Sequence, residues 1–171
     1  SSIAVETIAK TAPQSADAAR LAAAVEAANA AVIEAALNGL GKPGMGCTAT
    51  CAYIENDTLA IAHVGDSRAY LLHEGTLIRV TRDHSYVEEL VDAGEITADE
   101  ARVHPNRSVI TRALGSDPAM YADHFTLHIE EGDRLILCSD GLSSMIPDSD
   151  IENIATQSST AQICVDNLVD A

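Results

Sequence analysis

Two aspartates stand at positions where a carboxylate could bind a divalent cation. Asp66 falls at a tight connection between two predicted strands, within residues 64–68 (VGDSR), and Asp140 follows an apolar strand, within residues 138–142 (CSDGL). Turns use Asp and Gly for conformational reasons alone, so neither aspartate taken singly indicates a site. Carboxylates held at the ends of rigid strands are nevertheless the ligands that a divalent metal site needs. The two aspartates therefore predict a candidate metal site, with ordinary turns as the alternative.

Two arginines suggest a second kind of chemistry. Arg107 and Arg112 lie in a chain that has only 10 basic residues, and a pair of guanidinium groups could bind an anionic substrate. The chain also has 26 acidic residues. Ion pairs within the protein are therefore the alternative, and the spacing alone favours them.

Other catalytic and metal-binding motifs are missing. The sequence has no H-E-x-x-H zinc motif, Ser139 has no G-x-S-x-G context, and residues 44–48 (GMGCT) lack the lysine of a phosphate-binding loop. The cysteines form no C-x-x-C pair, which predicts reduced, buried thiols and disfavours a zinc cluster or a disulfide framework. They are Cys47, Cys51, Cys138 and Cys164.

The charge of the chain excludes further classes of partner. Ten Lys and Arg residues against 26 Asp and Glu residues give a formal net charge of −16. A surface of this charge repels phosphate backbones, so we expect no nucleic-acid partner. No apolar run approaches the roughly 18–20 residues of a membrane helix, so we expect no membrane segment in this chain. Reduced cysteines favour a cytoplasmic location.

Hydrophobic periodicity predicts the elements that position these residues. An Ala-rich helix over about 15–37 carries an apolar stripe that must pack on a flat surface. Period-two patterns predict strands at 47–55, 58–64, 67–73 and 77–81. Because the connections at 56–57, 65–66 and 74–75 are short, we expect these strands to form one four-stranded antiparallel meander.

A helical insertion and a second group of strands follow. Capping patterns at Ser85 and Thr97 predict two short helices, strands are expected at about 124–130 and 134–138, and further helices from about Asp148 and Thr160. We therefore expect an α+β fold in which two antiparallel β-sheets are sandwiched between α-helices, as one domain over residues 1–171. The terminal helices lack start and stop signals, so we expect this domain to be truncated at both ends.

Five short sequence segments are informative when they are considered together, in their order along the chain. They are residues 44–50 (GMGCTAT), 64–70 (VGDSRAY), 81–85 (TRDHS), 104–108 (HPNRS) with 111–115 (TRALG), and 132–142 (GDRLILCSDGL). In order and spacing they closely resemble the metal-dependent protein serine/threonine phosphatases of the 2C type, in their bacterial form. The resemblance covers nearly the whole chain.

This resemblance implies a function and a set of site residues. It implies a centre of two to three Mn²⁺ or Mg²⁺ ions, where a metal-activated water hydrolyses phosphoserine or phosphothreonine esters. By position, Asp140 would be a ligand of the binuclear centre, Asp66 together with Asp140 would help to hold a third metal, and Ser108 would lie in a mobile flap near that third site. The implied partners are phosphoproteins, the targets of a bacterial serine/threonine kinase.

The departures from the family pattern set a limit on activity. The family's early portion, with a phosphate-binding Arg and an Asp-Gly-x-Gly-Gly metal box, and its late Gly-Gly-x-Asp-Asn segment have no counterpart here. The one inner-site carboxylate, Asp140, cannot hold two divalent ions. We therefore expect weak metal binding and negligible turnover from these 171 residues alone, with no catalytic residue securely present. A non-catalytic, phosphatase-like binding or regulatory module is the alternative function.

Overall fold

A computed structural model describes every residue from Ser1 to Ala171. The chain divides into two compact units, each built from two separate segments. The first unit comprises Ser1–Asp66 and Asp83–Ile129, and the second comprises Ser67–Arg82 and Glu130–Ala171. The expectation of one domain over residues 1–171 stays a prediction.

The first unit contains one sheet and four helices. Its strands are β1 (Ala49–Glu55), β2 (Thr58–Val64) and β5 (Asp123–His128), and its helices are α1 (Ser2–Thr11), α2 (Ala18–Leu37), α3 (Tyr86–Asp92) and α4 (Ala98–Val103). The sheet has the order β1-β2-β5, and both pairings are antiparallel. Strand β2 is central and its residues Leu59–Val64 are buried, which explains its nearly continuous apolar sequence.

The long helix of the first unit packs on this sheet. Asp17 caps α2 by accepting a hydrogen bond from the Arg20 backbone N–H, and the predicted stripe of Leu21, Val25 and Val32 is buried against β2 and β5. The alanines between these residues have small side chains, so the helix backbone can approach the sheet closely. The prediction of an amphipathic helix that packs on a flat surface is confirmed.

The second unit contains the other sheet and three helices. Its strands are β3 (Arg68–His73), β4 (Thr76–Arg79) and β6 (Arg134–Cys138), and its helices are α5 (Asp140–Ser143), α6 (Asp148–Gln157) and α7 (Ala161–Asp170). The sheet order is β4-β3-β6, again fully antiparallel. Tyr70 and Leu72 of β3 form a core with Ile151 of α6 and Leu168 of α7.

The α+β class and the two antiparallel sheets are confirmed, but the predicted four-stranded meander is wrong. Strands β2 and β3 follow one another across Gly65 and Asp66, yet they belong to different sheets. Each is a central strand: β2 pairs with β1 and β5, and β3 pairs with β4 and β6. The short connection therefore joins two strands that do not pair with each other. Strands β1 and β5 flank β2, and strands β4 and β6 flank β3.

The capping predictions for the insertion are confirmed, whereas the prediction of buried cysteines holds for only one of the four. The Ser85 hydroxyl accepts a hydrogen bond from the Glu88 backbone N–H at the start of α3, and Thr97 with Glu100 forms a complete capping box at α4. All four cysteines are free thiols; Cys164 is buried and the other three are half-buried. No helix is both long and apolar enough to span a membrane.

Candidate active-site residues

Asp66 lies in the first unit, two residues after the end of β2, and is half-buried. The residue before it, Gly65, has φ +110°, a region that side chains rarely adopt, and a Cβ atom at Gly65 would overlap the side chain of Thr48. Glycine is therefore required for the turn that presents Asp66. The VGD string thus has a local structural reason in addition to any metal-binding role.

His84 holds this turn from the other side. Its backbone N–H donates to the Gly65 carbonyl oxygen at 2.8 Å, and its ring Nδ1 accepts a hydrogen bond from the Gly65 N–H at 3.0 Å. An acceptor nitrogen carries no proton, so the ring proton lies on Nε2, which donates to Oδ2 of Asp123 at 3.1 Å. His84 is 4% exposed. Both ring nitrogens are therefore engaged inside the protein.

The Arg112 side chain also binds partners within the first unit. Its guanidinium donates to Oδ1 of Asp123 at 2.6 Å and to the Tyr121 hydroxyl at 2.9 Å, and it lies 4.0 Å from the centroid of the Tyr121 ring. Burial tends to raise the pKa of Asp123, but hydrogen bonds and charge from Arg112 and His84 outweigh burial and lower it. These contacts support the structural ion-pair interpretation of Arg112 over an anion-binding one.

Ser108 lies in the helical insertion of the first unit. It is exposed in a turn after α4, next to the exposed Arg107. The insertion is closed at its base by a bridge between Ser85 and Ile110, and the Thr111 N–H donates to the His84 carbonyl oxygen at 2.9 Å. Ser108 therefore lies in an exposed turn of the insertion, close to the bridge at its base.

Asp140 lies in the second unit, as the first residue of α5, and is exposed. The strand before it, β6, pairs with β3 so that Cys138 is opposite Arg68. Arg68 also lies 3.6 Å from the Asp148 carboxylate, and both groups contact the Tyr70 hydroxyl. The strand pairing and this partly buried polar contact fix the start and the end of the segment that carries Asp140.

The sequence model of the protein phosphatase 2C family matches residues 5–171. The chain belongs to the protein phosphatase 2C family. The sequence-based resemblance is thereby confirmed.

Bacterial serine/threonine phosphatases are among the relatives of this protein phosphatase 2C chain. The serine/threonine phosphatase stp of Listeria welshimeri is 43% identical over 111 residues, which are 65% of this chain and 44% of that protein. The serine/threonine protein phosphatase PstP of Mycobacterium tuberculosis is 43% identical over 136 residues, which are 78% of this chain and 26% of that protein. This chain thus spans less than half the length of these relatives.

Solved structures of the protein phosphatase 2C family share the fold. The crystal structure of the Mycobacterium tuberculosis phosphatase PstP/Ppp has a TM-score of 0.89 at 35% identity and covers 99% of this chain and 72% of that chain. A PstP catalytic domain solved in complex with two manganese ions has a TM-score of 0.87 at 32% identity, covering 99% of this chain and 71% of that chain. These likenesses confirm the α+β fold and connect the family with metal.

The residues of this protein phosphatase 2C chain do not fit a complete binuclear metal centre. No three or more His, Cys, Asp and Glu side chains come together to form a group that could hold a metal ion. The predicted ligand Asp140 is exposed, and Asp66 is half-buried. A divalent cation takes several oxygen ligands, of which one or two carboxylates supply only a part.

Sequence reasoning missed the His84–Asp123 contact. The two residues are 39 positions apart, and nothing in their spacing connects them. The string TRDHS contains His84, but from sequence it is informative only through the family resemblance. The single local signal is that a buried histidine needs hydrogen-bond partners, and the sequence does not indicate which partners these are.

Proposed function

We propose that the protein to which this chain belongs is a protein serine/threonine phosphatase that hydrolyses the phosphate esters of phosphoserine and phosphothreonine residues. One observation carries the proposal: the match to the protein phosphatase 2C family extends over residues 5–171, nearly the whole chain. Bacterial relatives that carry the name serine/threonine phosphatase support it, with 41–43% identity over 111 residues.

The proposed cofactor is a centre of two to three Mn²⁺ or Mg²⁺ ions. Divalent ions supply charge neutralisation at the phosphate and a water of lowered pKa. In this proposal Asp140 contributes to the inner centre, Asp66 to a third metal, and Ser108 to the flap near it. Since the chain holds no complete ligand set, catalysis requires further ligands in addition to Asp140.

The proposed substrates are intracellular phosphoproteins, the targets of a bacterial serine/threonine kinase, and the proposed location is the cytoplasm. The names of the relatives support the substrate class. The formal net charge of −16 does not favour an anionic partner in general, so recognition of the phosphate has to be local.

The test is Mn²⁺-dependent hydrolysis of a phosphothreonine peptide, with a metal-free blank. Two preparations are assayed side by side: the product of the complete gene and the 171-residue chain. Asp140→Asn is the test variant. Asp150→Asn is the matched control, because Asp150 is an exposed carboxylate on a helix of the same unit.

We expect activity from the complete gene product and no change in Asp150→Asn. Asp140→Asn should lose at least about 100-fold, because removal of a direct ligand should cost no less than removal of a residue that orients one. We expect no turnover above the blank from the 171-residue chain. A complete gene product that is no more active than Asp140→Asn would exclude the phosphatase proposal and favour the binding-module alternative. Turnover by the 171-residue chain would show that one inner carboxylate is sufficient.

A further inference from the structure

His84 contacts both peptide groups of Gly65. The Gly65 N–H, which belongs to the peptide with Val64, donates to Nδ1 of His84. The Gly65 carbonyl, which belongs to the peptide with Asp66, accepts from the His84 N–H. A peptide group is planar, so the second bond also fixes the nitrogen and Cα of Asp66. The position from which the Asp66 side chain departs is therefore set by His84.

The His84 ring is itself held in one orientation. Nε2 donates to Asp123, whose carboxylate also receives the Arg112 guanidinium at 2.6 Å. The ring of His63 packs beside it with a centroid distance of 5.0 Å, and His63 Nδ1 lies 2.9 Å from the Thr50 hydroxyl. A flip of the ring about the Cβ–Cγ bond would put carbon atoms in place of Nδ1 and Nε2, and both buried hydrogen bonds would be lost.

The backbone of His84 is anchored as well. Its carbonyl oxygen accepts a hydrogen bond from the Thr111 N–H, and the Ser85–Ile110 bridge follows at once. These contacts form the base of the helical insertion. His84 therefore joins three parts of the first unit: the Gly65–Asp66 turn, strand β5 and the base of the insertion.

A buried histidine could act as a general acid or base, or it could position another residue, and the contacts of His84 distinguish these two roles. A general acid or base must reach the proton that it transfers. His84 is 4% exposed and both of its ring nitrogens face protein groups, so it does not offer a nitrogen to a substrate. Its contacts are those of a residue that acts through another residue.

We propose that His84 is a positioning residue that fixes the Gly65–Asp66 turn, and with it the carboxylate of Asp66. The proposal rests on the phosphatase function proposed above, in which Asp66 is a site residue. The bond from the Gly65 N–H to Nδ1 is the part of this positioning that depends on the histidine side chain, because the bond from the His84 N–H to the Gly65 carbonyl is a backbone contact. The bond from Nε2 to Asp123 serves to orient the ring.

The first test is made on the unaltered protein and does not depend on activity. Nitrogen NMR of the histidine side chains reports which ring nitrogen carries the proton. We expect the neutral Nε2–H form for His84, together with a slowly exchanging Gly65 amide. A ring protonated at Nδ1 cannot accept from Gly65, so that result would overturn the proposal.

The second test separates the two ring nitrogens by substitution. In His84→Asn, an amide oxygen can take the place of Nδ1 and accept from Gly65, while the contact with Asp123 is lost. In His84→Gln, the amide can reach Asp123 while the contact with Gly65 is lost. The matched controls are His128→Asn and His128→Gln, because the His128 side chain is 65% exposed in the same unit.

We expect kcat of the complete gene product to fall about 10- to 100-fold in His84→Gln, as for a small misplacement of a site group, with KM for the peptide unchanged. His84→Asn should retain most of the activity of the unaltered protein, because it keeps an acceptor for the Gly65 N–H, and both controls should match the unaltered protein. A purely structural role would lower kcat equally in both His84 variants, in line with their melting temperatures. Equal or reversed losses would therefore overturn the proposal.

Failure of the proposed function has a different signature. If the unaltered gene product shows no metal-dependent turnover, the phosphatase proposal fails, and amide exchange then tests the positioning by itself. The Gly65 and Asp66 amides should exchange faster in His84→Gln than in His84→Asn, because only the former loses the Gly65 bond. If either variant does not fold, the histidine NMR of the unaltered protein decides.

Discussion

The hydroxyl of Tyr70 lies 2.9 Å from Oδ1 of Asp148 and accepts a hydrogen bond from Arg68 at 3.0 Å. Tyr70 is fully buried on β3, and Asp148 begins α6. Burial above all holds the pKa of Tyr70 above its usual range, so the hydroxyl keeps the proton that it donates to Asp148. This hydrogen bond ties strand β3 of the second unit to the start of helix α6.

Tyr70→Phe should therefore lower stability without opening a cavity. The loss of one buried hydrogen bond is about 1 kcal/mol, which corresponds to a decrease in Tm of about 2–4 °C for a chain of this size. Tyr53→Phe on β1 is the matched control, and we expect its Tm to be that of the unaltered protein. A Tyr70→Phe protein that melts with the control would contradict the role assigned to this bond.

Gly65→Ala should be much more damaging than the same change at a comparable turn. Both Gly65 (φ +110°) and Gly75 (φ +80°) have backbones that disfavour a Cβ, but only at Gly65 would that atom overlap Thr48. We expect Gly75→Ala to cost about 1 kcal/mol and Gly65→Ala about 3 kcal/mol. Urea unfolding of both variants measures the difference. Equal costs would mean that Thr48 can move aside.

The Arg112–Asp123 contact predicts an acid-dependent loss of stability. The pKa of Asp123 is lowered in the folded protein, so its contribution is present above the unfolded pKa and is lost as pH falls through the folded pKa. Arg112→Gln should cost about 1 kcal/mol at pH 7, and less as the pH falls below about 4. Melting temperatures at a series of pH values measure this. Exposed Arg107 provides the control, Arg107→Gln, for which a pH-independent difference is expected.

His73 predicts the opposite pH dependence in the second unit. Its hydrogen bond to Asp133, at 2.7 Å, and then the charges of Asp133, Glu74 and Glu130 raise its pKa. A raised histidine pKa stabilises the protein fully below the unfolded pKa, about 6.5, and the effect is lost as pH rises through the folded pKa.

The Tm of the unaltered protein should accordingly exceed that of His73→Gln at pH 6, and the difference should shrink by pH 9. His128→Gln is the control, because its side chain is exposed on β5. A difference between the unaltered protein and His73→Gln that stays constant from pH 6 to pH 9 would contradict the assignment.

Local features of the fold were predictable because they depend on neighbours in sequence. The stripe of α2 and the caps Ser85 and Thr97 follow from residues within one or two helical turns. The partners of the central strands were not predictable in this way. Residues Thr58 and His128 are paired across 70 positions, and no turn chemistry indicates that pairing.

In the candidate site, too, local features were predictable from sequence and long-range contacts were not. Asp66 and Asp140 could be identified from sequence because each follows an apolar strand and lies next to a glycine in a predicted turn. The contacts that hold one of these turns, His84 with Gly65 and Asp123, depend on three separate parts of the chain. Arg112 had two interpretations from sequence, and only the position of Asp123 favours the structural one.

The late pairing of both central strands has a consequence for synthesis. Hairpins β1-β2 and β3-β4 leave the ribosome first, but their open edges are covered only by β5 and β6, which end at His128 and Cys138. At about 5–20 residues per second, several seconds separate these events. An uncovered edge strand is a template for unwanted pairing with another chain. The nascent protein is thus most open to misassembly until residues 123–138 emerge, and a chaperone that acts in this interval would have the greatest effect on its yield.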